Sequence, residues 1–166
     1  AGPRVLVNAS AVGYYGDRGD TMLTESAAAG GDFLAGVCVD WEAEAQKAAE
    51  KGAREVRLRI GVVLGEAGGA LEKMLLPFRM GLGGPMGDGR QYLPWVHIDD
   101  VVGAALFALD RETLRGAVNV TAPQPLRWRD FAAALGRALH RPAVIPVPGF
   151  ALKLALGCQE KIARQL

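Results

Sequence analysis

Residues 4–16 read RVLVNASAVGYYG, and the rest of the chain is organised around them. Val5, Leu6 and Val7 form an apolar run without polar alternation, the composition of a parallel strand covered on both faces. The run gives way to the small residues Asn8, Ala9, Ser10 and Ala11, after which Gly13 and Gly16 flank the phenols of Tyr14 and Tyr15. Small residues let a ligand approach the backbone, and hydroxyls supply donors, so the pattern fits a strand that delivers a site at its carboxyl end. The same residues also suit a strand, a turn and an aromatic packing patch, and the pattern by itself leaves both readings open.

Residues 17–31 are rich in Gly, Asp, Thr, Ser and Ala and predict a long loop of the kind that carries sites beside strand ends. Asp32 is a good N-cap for a helix to about Lys51, ended by Gly52. Phe33, Val37, Trp41 and Ala45 recur at four-residue spacing and define its expected apolar stripe, while Glu42, Glu44, Lys47, Glu50 and Lys51 are assigned to its solvated face. Residues 55–64 alternate charge with Val56, Leu58 and Ile60 and continue through Val62, Val63 and Leu64, predicting a second parallel strand and hence a doubly wound β-loop-α-β order.

Gly68 and Gly69 open a further helix to Phe78, kinked or shortened by Pro77. The run GLGGPMGDGRQ, residues 81–91, lacks the framing and spacing of a phosphate-binding fingerprint and reads as a flexible substrate-side loop. Residues 92–98 predict a short strand, and Asp99 or Asp100 caps a helix over 101–109. A strand over 117–121, an amphipathic helix over 129–139 with Phe131, Leu135 and Leu139 on one face, a short proline-hemmed strand over 143–147 and a helix from Phe150 follow.

At 166 residues the chain suffices for one domain burying roughly 70% of its extended surface. Its formal net charge of +1, with scattered basic residues, argues against nucleic acid or a membrane surface as partner. Cys38 and Cys158 stand without a C-x-x-C or His-rich neighbourhood, which predicts free buried thiols in a reducing compartment. With no basic-then-apolar leader and no apolar run of about 18 residues, the expectation is a cytoplasmic protein.

Three further residues are candidates on their own chemistry. Arg90 follows the glycine loop, where a guanidinium suits a phosphate or carboxylate as well as it suits solvent. Trp95 stands just before the single histidine of its block and is placed at a site edge. His97 with Asp99 and Asp100 is a poor metal set, so no metal is expected and His97 reads as a structural hydrogen-bonding residue.

NASAVGYYG, WEAEA, RLRIGVVLG, GLGGPMGDGRQYLPWVHIDDVVGAALFAL and GAVNVTAPQPLRWRDFAAALGRAL, in that order, resemble the atypical extended short-chain dehydrogenase/reductases of the NAD-dependent epimerase/dehydratase-like branch. The resemblance runs over nearly the whole chain and covers the second half of such a protein, since the glycine-rich dinucleotide fingerprint of the family's first strand and helix is not in this sequence. It implies the C-terminal half of a Rossmann-type α/β parallel sheet with a small α+β substrate-side subdomain. Residues 1–65 and 101–122 would belong to the sheet core, and 66–100 and 123–166 to the substrate side. The family at large uses a Tyr-x-x-x-Lys pair on the helix after this strand; here no tyrosine stands four before a lysine, Tyr14 being followed at that spacing by Arg18 and Tyr15 by Gly19. By resemblance the catalytic candidates are therefore Ser10, Tyr14 and Tyr15, with Ser10 orienting a carbonyl or hydroxyl and one phenol relaying a proton. Ala9, Arg59, Gly61, Val62 and Val63 would pass the nicotinamide ribose of NADP or NAD, a cofactor this chain alone would hold weakly or not at all. Arg90, Trp95 and His97 would line the side of a small-molecule substrate.

The function expected is a nicotinamide-dependent oxidoreductase or sugar-nucleotide epimerase-like protein, able to self-associate through the open edge of its first strand. The rival is a non-catalytic dinucleotide-sensing or interaction protein of the same fold, favoured by the missing Tyr-x-x-x-Lys pair.

Overall fold

The computed structural model describes residues 2–66 and 68–145. In chain order the elements are β1 (Val5–Ala11), a 3₁₀ turn (Val12–Tyr15), α1 (Phe33–Glu50), β2 (Arg54–Ile60), β3 (Val62–Leu64), α2 (Gly69–Arg79), β4 (Tyr92–Leu93), β5 (Trp95–His97), α3 (Ile98–Asp110), β6 (Gly116–Val120), β7 (Leu126–Arg127) and α4 (Trp128–Leu139). They group into two compact units, one formed by the chain up to Ala70 with Pro94–Gln124, the other by Leu71–Leu93 with the chain from Pro125 onward.

In the first unit β1, β2 and β6 make a parallel sheet in that order, with Val5 opposite Arg54, Ala11 opposite Ile60 and Val56 opposite Gly116. The apolar run of β1 starts the strand, and residue-for-residue pairing with β2 carries it on through Asn8–Ala11, residues for which the sequence leaves a strand end and a turn both open. Parallel neighbours need a crossover, and α1 and α3 supply the two covering layers. One face of β2 presents Val56 and Leu58, which form a core with Val96, Ala108 and Val120; Val101, Ala104 and Ala105 of α3 pack against it. The other face presents Glu55, Arg57 and Arg59, and Glu55 and Arg59 are buried.

The expected strand over 55–64 divides at Gly61. The Gly61 amide donates to Val120 O (3.0 Å), the Val62 amide to Pro94 O (2.7 Å), and β3 then pairs with β5 in a separate two-stranded sheet. A Cβ at Gly61 would lie 2.0 Å from Pro94 O, so the chain changes sheets at the one residue that lets the two backbones meet. Pro94, lacking an N–H, likewise splits the expected strand over 92–98 into β4, antiparallel to β7, and β5, parallel to β3.

Asp32 caps α1, its Oδ1 accepting from the Ala35 amide at 2.9 Å. The buried face is Ala35, Cys38, Glu42 and Ala45. Phe33 and Trp41 are 71% and 57% exposed, so the stripe drawn through the large apolar residues faces outward, and Glu42, assigned to solvent, is 2% exposed. The reason lies in what is underneath: small side chains bring the helix close to β1 and β2, and the arginines of β2 require an acid in that layer. Cys38 is a free buried thiol, as expected, whereas Cys158 lies outside the described residues.

His97, not an aspartate, caps α3, its Nδ1 accepting from the Asp99 amide at 3.2 Å; Asp99 and Asp100 occupy the first turn, where their charge suits the helix dipole. No helix among the described residues is long and apolar enough to cross a membrane. In the second unit α2 runs two residues past Pro77 and closes through Gly81 N to Phe78 O and Leu82 N to Pro77 O. Phe78, Leu93, Trp128, Phe131 and Ala132 are its buried apolar residues, with the Trp128 and Phe131 rings 5.5 Å apart. Residues 143–145 form no strand; the remainder of that expected element and the helix from Phe150 lie outside the described residues.

Candidate functional site

Parallel strands deliver their carboxyl ends to one edge, and there Ser10 of β1, Arg59 of β2 and Asn119 of β6 stand side by side in register. Glu42 of α1 descends onto this row. Its Oε1 accepts from Ser10 Oγ (2.8 Å) and Arg59 Nε (2.8 Å), and its Oε2 from Arg59 Nη2 (2.8 Å), with Arg57 Nη1 at 3.3 Å. The two arginine bonds make the bidentate fork that guanidinium and carboxylate planes favour. Burial alone would raise the Glu42 pKa, but the bonds from Arg59 and Ser10 outweigh it and hold the carboxyl below its usual value. Burial would lower the Arg59 pKa, and the bond to Glu42, with a smaller contribution from Tyr15, instead raises it. Both groups are therefore charged near neutrality. Deeper along the same face Glu55 meets Arg57 Nε at 2.8 Å, and burial pushes the Glu55 carboxyl up.

The tyrosines do not lie on extended chain, as alternation of faces would require, but on the 3₁₀ turn. Their rings meet edge to face at 5.3 Å, and both address Arg59, whose Cζ sits 3.5 Å from the centroid of Tyr14 and 5.0 Å from that of Tyr15. Tyr15 is 2% exposed, and its hydroxyl accepts from Arg59 Nη1 (2.9 Å) and donates to Asn119 Oδ1 (2.6 Å). Tyr14 is half-buried, and among the described residues its hydroxyl has no hydrogen-bond partner. The loop of residues 17–31 is tied down at the same place: Arg59 Nη1 donates to Glu25 O (3.1 Å), the Asn119 amide to Glu25 Oε1 (2.9 Å) and Asn119 Nδ2 to Leu23 O (3.3 Å).

Of the residues singled out in the sequence, the structure thus brings Ser10, Tyr14, Tyr15 and Arg59 together. Ser10 is buried, with its single proton directed to Glu42, and Arg59 faces α1. Ala9 is exposed on β1, Gly61 is at the sheet crossing, and Val62 and Val63 pair with β5. Trp95 Nε1 is buried without a hydrogen-bond partner among the described residues. His97 is at the α3 cap, and Arg90, in the second unit, is exposed, its amide donating to Asp88 and its carbonyl accepting from Arg127 Nη1. The sequence reading missed Glu42, Asn119 and Glu25. The signal for Glu42 was present: Glu55, Arg57 and Arg59 alternate on one strand face, and two arginines against one acid need a further carboxylate from whatever covers them.

Comparison with known proteins agrees with this architecture. The family model described as NAD dependent epimerase/dehydratase family matches residues 1–121. An epimerase family protein of Mycobacterium bovis is 46% identical over 95% of this chain and 52% of its own length. The chloroplastic SDR39U1 homologue of Arabidopsis thaliana is 47% identical over 95% of this chain and 45% of its own. The crystal structure of human epimerase family protein SDR39U1, solved with NADPH, superposes with a TM-score of 0.83 at 38% identity, covering 92% of this chain and 52% of that one. The chain spans about half the length of the curated relatives it matches. With a parallel sheet of Rossmann type and a family match over most of its residues, the chain belongs to the NAD-dependent epimerase/dehydratase family.

Proposed function

We propose that this chain carries the proton-transfer side of an NADP-dependent oxidoreductase or sugar-nucleotide epimerase-like enzyme, with Tyr14 as the acid–base group. The observation that carries the reading is the contrast between two adjacent phenols at the strand ends: the Tyr15 hydroxyl is fully engaged, whereas Tyr14 is half-buried and its hydroxyl has no hydrogen-bond partner among the described residues. A positioned general acid must reach its substrate oxygen directly, which Tyr14 can do and Tyr15 cannot without breaking two bonds.

A nicotinamide, when bound, supplies or accepts the hydride. The residues present fit its nicotinamide end: Ala9 and Ala11 leave the end of β1 open to close approach, and the Trp95 indole N–H is a buried donor with no acceptor among the described residues. The human relative crystallised with NADPH supports the same assignment. Ser10 orients Glu42 within the row, and Tyr14 moves the proton at its phenol oxygen.

A second reading, a non-catalytic dinucleotide-binding protein, is favoured by one observation: α1 carries no tyrosine and so no Tyr-x-x-x-Lys pair. The test is Tyr14→Phe in the full-length protein, with NADPH oxidation followed across carbonyl probes and the epimeric product followed by chromatography across nucleotide-sugar probes, where no net NADPH is consumed. Loss of about 10²–10⁴ in turnover with NADPH affinity retained is expected for an acid–base phenol. Full turnover in Tyr14→Phe would remove that role, and no turnover by the parent on any probe would favour the second reading.

A further inference from the structure

We propose that Glu42 and Arg59 are the positioning pair of this site, holding Tyr14 in place through the plane of the guanidinium. The proposal deepens the reading of Tyr14 as the acid–base phenol and rests on it for its activity arm only. Arg59 directs four N–H bonds: Nε and Nη2 to the two oxygens of Glu42, and Nη1 to Tyr15 Oη and Glu25 O. With so many directions fixed the guanidinium has one orientation, and the Tyr14 ring lies against its face at 3.5 Å.

Among the described residues no hydrogen bond holds the Tyr14 side chain, although the backbone is held, its carbonyl accepting from the Gly30 amide at 2.8 Å. Tyr14 sits on a 3₁₀ turn that contains Gly13 and is closed by Gly16 at φ +65°, and its hydroxyl bonds to nothing among the described residues. Its other aromatic contact, Tyr15, is itself tethered to Arg59. The ring is therefore placed by a chain of contacts that begins on α1, at a carboxylate joined to the phenol it serves through the one side chain of Arg59. A buried ion pair is weak as a source of stability, because an apolar pair of similar volume would serve as well or better. A planar cation with one edge for a carboxylate and one face for a ring does what neither an apolar pair nor a lysine can do.

Two variants separate this role from simple support. Arg59→Lys keeps the charge beside Glu42 but loses the fork and the plane; Glu42→Gln keeps the shape and loses the charge. The first measurement is NMR of the arginine-labelled chain. The Arg59 Nε–H signal is expected in slow exchange and displaced upfield by the Tyr14 ring, with the displacement lost in Tyr14→Leu and the slow exchange lost in Glu42→Gln. The second is turnover in the full-length protein with NADPH and the probe that gives the highest rate, measured below the melting temperature of every variant. A misplaced reacting group costs up to about 10²-fold, so Arg59→Lys is expected to lose about 10- to 100-fold in kcat while KM and NADPH affinity move less than about threefold. Glu42→Asp should recover part of what Glu42→Gln loses.

Unchanged kcat in Arg59→Lys would overturn the proposal, as would an Arg59 signal that shows no displacement by Tyr14. If Glu42→Gln does not fold, Arg59→Lys and Tyr14→Leu decide the matter alone. Full turnover in Tyr14→Phe together with a displaced Arg59 signal would overturn the acid–base reading and leave the positioning geometry supported.

Discussion

Glu42→Ala takes away the acceptor of three 2.8 Å hydrogen bonds, one from Ser10 and two from Arg59, and the 3.3 Å contact with Arg57. Bonds to charged groups are worth about 1.5–3 kcal/mol each, but their sum overstates the loss because the neighbours relax and water enters the gap. Removing one partner of a buried ion pair costs about 3–5 kcal/mol, most of it the penalty of leaving the other charge uncompensated. Arg59 would be that charge, at 3% exposure. For a chain of this size each kcal/mol shifts the melting temperature by about 2–4 °C, so a fall on the order of 10 °C is expected. Glu44→Ala is the control: that side chain is 71% exposed and meets Lys47 at 2.6 Å on the helix surface, a contact worth about 0.5 kcal/mol or less. Urea unfolding of the two variants should differ by several kcal/mol, and the double variant Glu42→Leu/Arg59→Leu should lose less than its two single variants combined. Equal, small losses in Glu42→Ala and Glu44→Ala would refute the buried network and return Glu42 to the solvated face.

Trp41→Ala should cost no more than about 1 kcal/mol, because the indole is more than half exposed and its removal leaves no cavity; a loss of about 3–5 kcal/mol would restore the apolar stripe read from the sequence. Cys38, whose thiol is pushed up by burial, should resist a disulfide reagent at pH 8 in a Cys158→Ala background until urea unfolds the chain, and rapid labelling of the native protein would contradict its placement. The Glu42 carboxyl is held below its unfolded value of about 4.3, so its contribution is fully present above that pH and disappears as the pH falls through the lower folded value. The stability gap between the parent and Glu42→Gln should accordingly be constant above about pH 5 and close on acidification; a gap that widens in acid would reverse the assigned direction.

What was legible in the sequence was legible for local reasons. Val5–Val7, the Asp32 cap and the Gly52 stop act within a few residues, and the structure has all three where the pattern puts them. What was not legible depended on partners far along the chain. The face of α1 turned inward is chosen by Arg57 and Arg59, which arrive 15 and 17 residues after Glu42, and against that demand the larger apolar residues face out. Gly61 and Pro94 each fall inside a single expected strand, yet together they move the chain from one sheet to another. At the site, the sequence grouped Ser10 with Tyr14 and Tyr15, and the resemblance added Arg59 in another role, without the carboxylate that joins them, because a glutamate on a helix with four other charged residues looks like its neighbours.

The outer edge of β6 invites a last consequence. The amide of Asn119 gives its proton to the Glu25 carboxylate, so a loop side chain stands where the next strand of a growing sheet would dock. Any peptide seeking to extend the sheet on that side must evict a charged group already bonded there, and must also dislodge Leu23 from the Asn119 amide side chain. The loop of residues 17–31 is in this sense a stopper against fibril-like stacking, and its loss by proteolysis would uncover an adhesive strip at that edge.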